Sequence, residues 1–188
     1  MHVTLRRWGA DDLPVLQRAN TAELTRFLGG PETDDQLVDR HARYLRGWET
    51  GTSRMFVIEV DGEPAGSIGW WKVEHDGVPA YETGWGVDMA FQGRGVAREA
   101  LRQVIALVAE VGDRPLLVAY PGAENPASNA LCRGAGFEPR GSASMPWRGG
   151  VLAFNTWVLD LSRPPAGGPS PEPSPAPSPG PPPGPAHG

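Results

Sequence analysis

One cysteine in 188 residues, Cys132, leaves no partner for an internal disulfide and excludes a cysteine-rich zinc site. The four histidines, His2, His41, His75 and His187, are scattered without ligand spacing, so no metal is expected. Basic residues are outnumbered: the net charge of −5 argues against long-range attraction to nucleic acid or an anionic membrane. No run approaches the ~20 apolar residues of a spanning helix, and "MHVTLRRWGADD" lacks a signal peptide's apolar stretch. A reducing, cytoplasmic setting is therefore expected. Large apolar residues are missing altogether after Arg163, where "RPPAGGPSPEPSPAPSPGPPPGPAHG" holds 12 of the 21 prolines. Such a stretch cannot bury enough surface to offset chain entropy, so a disordered Pro-rich tail is expected over residues 163–188. Residues 1–162 remain as one domain with a single core.

What is present has a legible period. "HVTLRRW" alternates as an opening strand, and Asp11 and Asp12 then mark a helix start that tolerates Pro14 in its first turn. Leu13, Leu16, Ala19, Leu24, Phe27 and Leu28 suit one or two helical segments closing near the Gly-Gly-Pro at 29–31. Thr33 caps a further helix, with Gln36 placed for the reciprocal bond and Leu37, His41, Tyr44, Leu45 and Trp48 along one side. The period then falls to two. "RMFVIEV" and "PAGSIGWWKVE" flank Asp61-Gly62, a hairpin signal that allows a turn of more than two residues. "PAYETGWGVDM" continues as a third strand, where Gly84 and Gly86 suggest a bulge or a close backbone approach. A helix over residues 94–111 follows, then "RPLLVAY" as a buried strand of the parallel kind. A short helix capped by Asn125 with Pro126 at its first position precedes two closing strands. This order fits a mixed α/β sheet.

The stretch "VDMAFQGRGVAREAL" places Gly93 and Gly95 directly before a helix. Two such glycines leave backbone amides uncovered, and together with the positive helix end they make an anion site. The dinucleotide pattern G-x-G-x-x-G is absent, and so is the Gly-Lys-Ser/Thr of a nucleotide P-loop. "QGRGVA" matches the signature Gln/Arg-x-x-Gly-x-Gly/Ala of the GNAT superfamily of N-acetyltransferases through Gln92, Gly95 and Ala97. Val87 and Phe91 lie at the expected distance before it. "NPASNALCRGAGF" resembles the family's second block through Asn125, Ser128, Leu131, Gly136 and Phe137. The resemblance covers roughly residues 1–161.

The resemblance implies a central, mostly antiparallel sheet, splayed at the coenzyme A site and flanked by about four helices. It implies acetyl-CoA as cosubstrate, no metal, and direct transfer of the acetyl group to a primary amine. Gln92, Gly93, Arg94, Gly95, Val96 and Ala97 would hold the pyrophosphate, Val87 to Met89 would pair with the pantetheine arm, and Asn125 and Ser128 would touch that arm. Glu82 is the expected base, on the strand face it shares with Gly84 and Gly86. Asp88 is the second candidate, with Glu74 and Asp76 behind it. Where many members carry a tyrosine acid, this chain has Cys132. A thiol titrates at about 8.5 against about 10 for a phenol, so it can donate a proton, although a lone helical cysteine is also a packing residue. Ser128 and water compete for the role. Trp70 and Trp71 alternate, so one belongs to the core and one to the cleft; Trp71 and Trp85 are the expected acceptor contacts, with Trp147 a further candidate. Glu32, Asp34 and Asp35 would favour a cationic amine. The implied acceptor is a small molecule resembling an aminoglycoside or polyamine, or else a peptide N-terminus. A non-catalytic acyl-CoA sensor is the reading from another class. Monomer and homodimer both fit.

Overall fold

The computed structural model describes residues 1–162, so the expected tail lies outside the described residues. The strands are β1 (Val3–Arg7), β2 (Ser53–Val60), β3 (Glu63–His75), β4 (Val78–Val87), β5 (Leu116–Ala119), β6 (Glu138–Trp147) and β7 (Gly150–Asp160). The helices are α1 (Leu13–Ala19), α2 (Ala22–Thr25), α3 (Asp34–Thr50), α4 (Val96–Val111) and α5 (Pro126–Gly134), with single 3-10 turns at Arg26–Leu28 and Met89–Phe91. The strands form one sheet in the order β1-β2-β3-β4-β5-β7-β6, and only β4 and β5 run parallel.

Local chemistry sets the boundaries. Asp61 and Gly62 both adopt positive φ, 52° and 90°, which closes β2 onto β3 in a two-residue turn, the shorter of the two lengths the sequence allowed. Thr33 and Gln36 make the reciprocal cap of α3, and Gly51 ends that helix in the left-handed region. The expected bulge at Gly84 and Gly86 is not there: β3 and β4 pair in unbroken register from His75↔Val78 to Gly66↔Val87. The close approach is real instead. A Cβ on Gly66 would stand 2.1 Å from the Gly86 carbonyl oxygen, and one on Gly84 would meet the Trp71 ring at 3.0 Å. β4 stops at Val87, so Asp88 and Met89 lie beyond its end, where the sequence pattern had kept them on the strand.

Each sheet face buries its own core. Val96, Ala100, Leu101, Val104 and Val108 of α4 pack on Ile58, Ile68, Trp70, Tyr81 and Leu117. On the opposite face α1 and α3 cover Met55 and Val57 with Val15, Leu16 and Leu37. Trp70 is therefore the core tryptophan, and Trp71 packs at the edge of the second face. Burial of each large side chain contributes about 1.5–3 kcal/mol, which is why the helices hold to the sheet without disulfides.

Two departures from a plain sheet matter for the site. β4 pairs with β5 only through Ala80↔Leu116, Tyr81↔Leu117 and Glu82↔Val118; beyond these the strands part, leaving the edge of β4 from Thr83 onward open on that side. β6 pairs with β7 alone and is exposed along its whole length, so the outer half of this hairpin projects past β5 as an arm. No helix among the described residues is long and apolar enough to cross a membrane.

Candidate active site

A cleft of about 860 Å³ runs through the gap where β4 and β5 part. Gly93, Gly95, Val96, Ala97, Asn125 and Ser128 line one end, and Leu37, Tyr44, Met55, Trp71, Trp147 and Arg148 line the other. The fork thus joins two chambers on opposite faces of the sheet.

The first end is made of main chain. Gly93 and Gly95 have φ of 70° and 80°, which side-chain-bearing residues avoid, and nothing lies within 4 Å of where a Cβ on either would stand. The Glu99 N–H reaches back to the Gly95 carbonyl at 3.0 Å as α4 begins. The N–H groups of residues 96–98 precede that bond and have no helical acceptor, and the helix dipole adds positive potential at the same place. The cradle therefore fits a phosphate group. Gln92 has a bracing contact as well: its Nε2 donates to the Val87 carbonyl at 2.9 Å and ties the strand end to the cradle. Arg94 lies over the Phe91 ring, 5.8 Å from its centroid, and is not part of the cleft wall. Arg98 is, one turn further along α4, and the glycine signature gave no sign of it.

Asn125 caps α5 by accepting the Ser128 N–H at 3.0 Å. A residue that sequence reasoning missed holds this cap in place. The buried Asn129 donates to the Gly122 and Asn125 carbonyls at 3.0 and 2.7 Å and accepts from Asn155 Nδ2 and Trp157 Nε1, both at 2.8 Å. All four of its hydrogen-bonding positions are filled, so α5 is fixed to β7.

The expected catalytic residues are scattered. Glu82 is half-buried beside Trp71, its cross-strand partner, and it is Trp71 that forms the cleft wall at this level. Burial pushes the Glu82 carboxyl above the usual carboxylate range, and hydrogen bonding from Trp71 opposes the rise. Its charge in turn helps to raise the nearby Tyr120 phenol, after burial, the larger cause; Tyr120 Oη lies 2.9 Å from His75 Nδ1. Asp88 is not in the cleft. Its Oδ2 pairs with Arg18 at 3.3 Å and its Oδ1 is buried without a partner. Glu74 and Asp76 lie at the far ends of β3 and its turn, away from the cleft. Cys132 is 0 % exposed in the α4 core, and burial pushes its thiol up to about 12. That corrects the expectation of a thiol acid: Cys132 packs in the core and does not reach the cleft. Trp71 and Trp85 both line the cleft, as does Met89.

The second end is made of side chains brought from distant elements. Asn20 clamps the Glu32 backbone, accepting its N–H and donating to its carbonyl, both at 2.8 Å. The Glu32 carboxylate, 9 % exposed, pairs through Oε2 with Arg40 of α3 and through Oε1 with Arg148, at 3.0 Å, from the β6–β7 turn. Arg148 also donates to the Gly30 carbonyl at 2.6 Å, and Trp147 Nε1 donates to the Leu28 carbonyl at 2.8 Å. The arm thereby roofs the chamber. Asp34 and Asp35 are exposed in the first turn of α3 and outside the cleft. The expected acidic chamber is thus corrected: its buried carboxylate is already shared by two guanidiniums.

The acetyltransferase (GNAT) domain model matches residues 2–138. No curated protein sequence matches. Among solved structures, the acetyl transferase that modifies the N-terminal serine of ribosomal protein L7/L12 from Salmonella typhimurium is similar at 23 % identity and a TM-score of 0.73, covering 84 % of this chain and 94 % of that one. The ribosomal-protein-alanine N-acetyltransferase from Brucella melitensis is 25 % identical with a TM-score of 0.70, over 84 % and 99 % of the two chains. The spermidine N-acetyltransferase from Vibrio cholerae, in complex with CoA and spermine, is 19 % identical with a TM-score of 0.70, over 85 % and 96 %.

Proposed function

The chain belongs to the GNAT acetyltransferase family, and from that premise we propose that it moves the acetyl group of acetyl-CoA directly onto the primary amine of a small molecule. The observation that carries the proposal is the single cleft through the β4–β5 fork, with a phosphate-sized glycine cradle at one end and a roofed, largely apolar chamber at the other. Bound acetyl-CoA would supply an activated thioester: the amine nitrogen forms the new C–N bond, the C–S bond breaks, and one proton leaves the nitrogen as the CoA thiol departs.

The chain's own groups divide that work. The N–H groups of residues 93–97 hold the pyrophosphate, with Arg98 beside them. The open edge of β4 offers main-chain groups to the pantetheine arm; Val87 gives its N–H side only, since Gln92 already takes its carbonyl. The residues of that edge also stand where oxyanion charge develops. Asn125 and Ser128 close the other flank of the arm. Glu82, with its raised carboxyl, takes the proton from the ammonium through an intervening water, because Trp71 rather than the carboxylate forms the wall. No side chain is assigned as the acid, and a thiolate needs little help to leave.

Thiol release from acetyl-CoA over a panel of amines and peptides tests the proposal. Turnover of a small amine is the expected outcome. A second reading, acetylation of a protein N-terminus, is favoured by the likeness to the ribosomal-protein-alanine enzyme, and preferential turnover of N-terminal peptides would select it. CoA binding without thiol release from any acceptor would leave an acyl-CoA sensor.

A further inference from the structure

The charges at the second end of the cleft do not suit a polycation. Its wall carries Arg26, Arg40 and Arg148 against Glu23 and Glu32. Glu32 has each carboxylate oxygen engaged by a guanidinium and its backbone clamped by Asn20, so its charge is already offset by two cations before an ammonium arrives. Glu23 is exposed on the rim. Arg26, exposed like Glu23 and one helical turn further on, has no acceptor among the described residues; its guanidinium rests on the Phe27 ring, 4.6 Å from the centroid. A guanidinium presents five N–H donors in a planar fork that matches an oxyanion in two-point fashion. Arg148 uses its two terminal nitrogens on Gly30 and Glu32, yet each retains a further N–H.

Between these charges the wall is apolar and aromatic: Leu37, Tyr44, Met55, Trp71 and Trp147. A polyamine or aminoglycoside would bring several cations and no aromatic face to such a chamber. On the acetyl-transfer reading given above, we propose that the acceptor is a primary amine on an apolar or aromatic body that also carries a carboxylate, with Arg26 and Arg148 receiving the carboxylate while the amine faces the fork. The amine thus enters with its charge partly balanced within its own molecule. The excess of guanidinium then favours the acceptor instead of repelling it.

Matched probes separate this from the broader reading. Acetyl-CoA thiol release by the full chain would be measured with L-phenylalanine, L-phenylalaninamide and spermidine, at a pH where the amino-acid amines are largely unprotonated. The expected order of kcat/KM is phenylalanine, then its amide, then spermidine. Arg26→Gln should reduce the phenylalanine-to-amide ratio about tenfold or more, the factor that loss of one hydrogen bond to a charged group brings. A wild-type preference for the amide or for spermidine overturns the carboxylate site while leaving acetyl transfer standing. If no acceptor turns over, calorimetry of L-phenylalanine on the CoA-loaded protein reads the site by itself. Binding that Arg26→Gln weakens upholds it although transfer fails, and no binding overturns it.

Discussion

The two ends of the cleft are built from different material. The CoA end is backbone: two left-handed glycines, the first turn of α4 and an open strand edge, all within residues 83–98. The acceptor end is side chain: Asn20 after α1, Glu32 before α3, Arg40 within it, Trp71 on β3, and Trp147 and Arg148 at the tip of the β6–β7 arm. A backbone site is contiguous in sequence and allows few residue types, whereas a side-chain site is assembled by the fold from positions that carry no local mark. The first can be preserved while the second is rebuilt for a different acceptor. The family model's match ends at residue 138, before the arm that supplies the roof.

The largest expected effect sits where the two ends meet. Glu82→Gln keeps the shape of the side chain and removes its proton affinity, so CoA binding should survive while turnover falls by about 10²–10⁴. The loss should be greatest near neutral pH and shrink as rising pH deprotonates the amine unaided. Because burial raises the Glu82 carboxyl, wild-type turnover should fall on acidification at a pH above the ordinary carboxylate range. Asp88→Asn, measured beside it, should have little effect, since Asp88 faces Arg18 and not the cleft. The reverse pattern would move the base to Asp88 and make the fork less of a boundary.

A smaller pair of effects tests whether the ends are separable. Gly95→Val forces a β-branched residue to φ 80°, a strain of about 1–3 kcal/mol, and fills the space that the cradle leaves for phosphate. CoA affinity should fall about tenfold to hundredfold by calorimetry in a variant that still melts cooperatively. Arg148→Gln should do the opposite: CoA affinity within about twofold, and acceptor KM raised roughly tenfold as the roof loosens. Should both variants shift both constants alike, the cleft is one cooperative unit and the contrast between its ends is lost.

The same contrast explains what the sequence revealed. The glycine cradle, the Asn125 cap, the Thr33–Gln36 cap and the Asp61-Gly62 turn were legible because each is a local backbone device with few permitted residues. The splay was expected only through the family resemblance, since no residue of β4 or β5 announces where the two strands part. Asn129 was not legible, for its partners Asn155 and Trp157 lie on another strand. Glu32 read as an acid that would draw a cationic amine because nothing near it in sequence announces Arg148. Cys132 stood at the right spacing for an acid, and only the packing of α5 against the core shows that its thiol faces inward. Spacing gives a position on a helix; it does not give what covers it.

The smallest effect is one of stability, and it tests the same carboxyl by an independent route. A carboxyl whose pKa is raised by burial is stabilised in its neutral form, so folding favours the protonated group. Its contribution is fully present below the unfolded-state value, near 4.3 for a glutamate, and is lost as pH rises through the higher folded-state value. At neutral pH the wild type therefore carries an ionised, partly desolvated Glu82 that opposes folding, and Glu82→Gln removes that cost. The variant should melt higher than wild type at neutral pH, by no more than a few degrees at about 2–4 °C per kcal/mol for a domain of this size. The gain should vanish on acidification, where both side chains are neutral. A variant that melts lower at neutral pH would mean that Trp71 holds the ionised carboxylate more strongly than burial disfavours it. Glu82 would then be an ordinary structural acid, and the proton would have to leave the amine by another path.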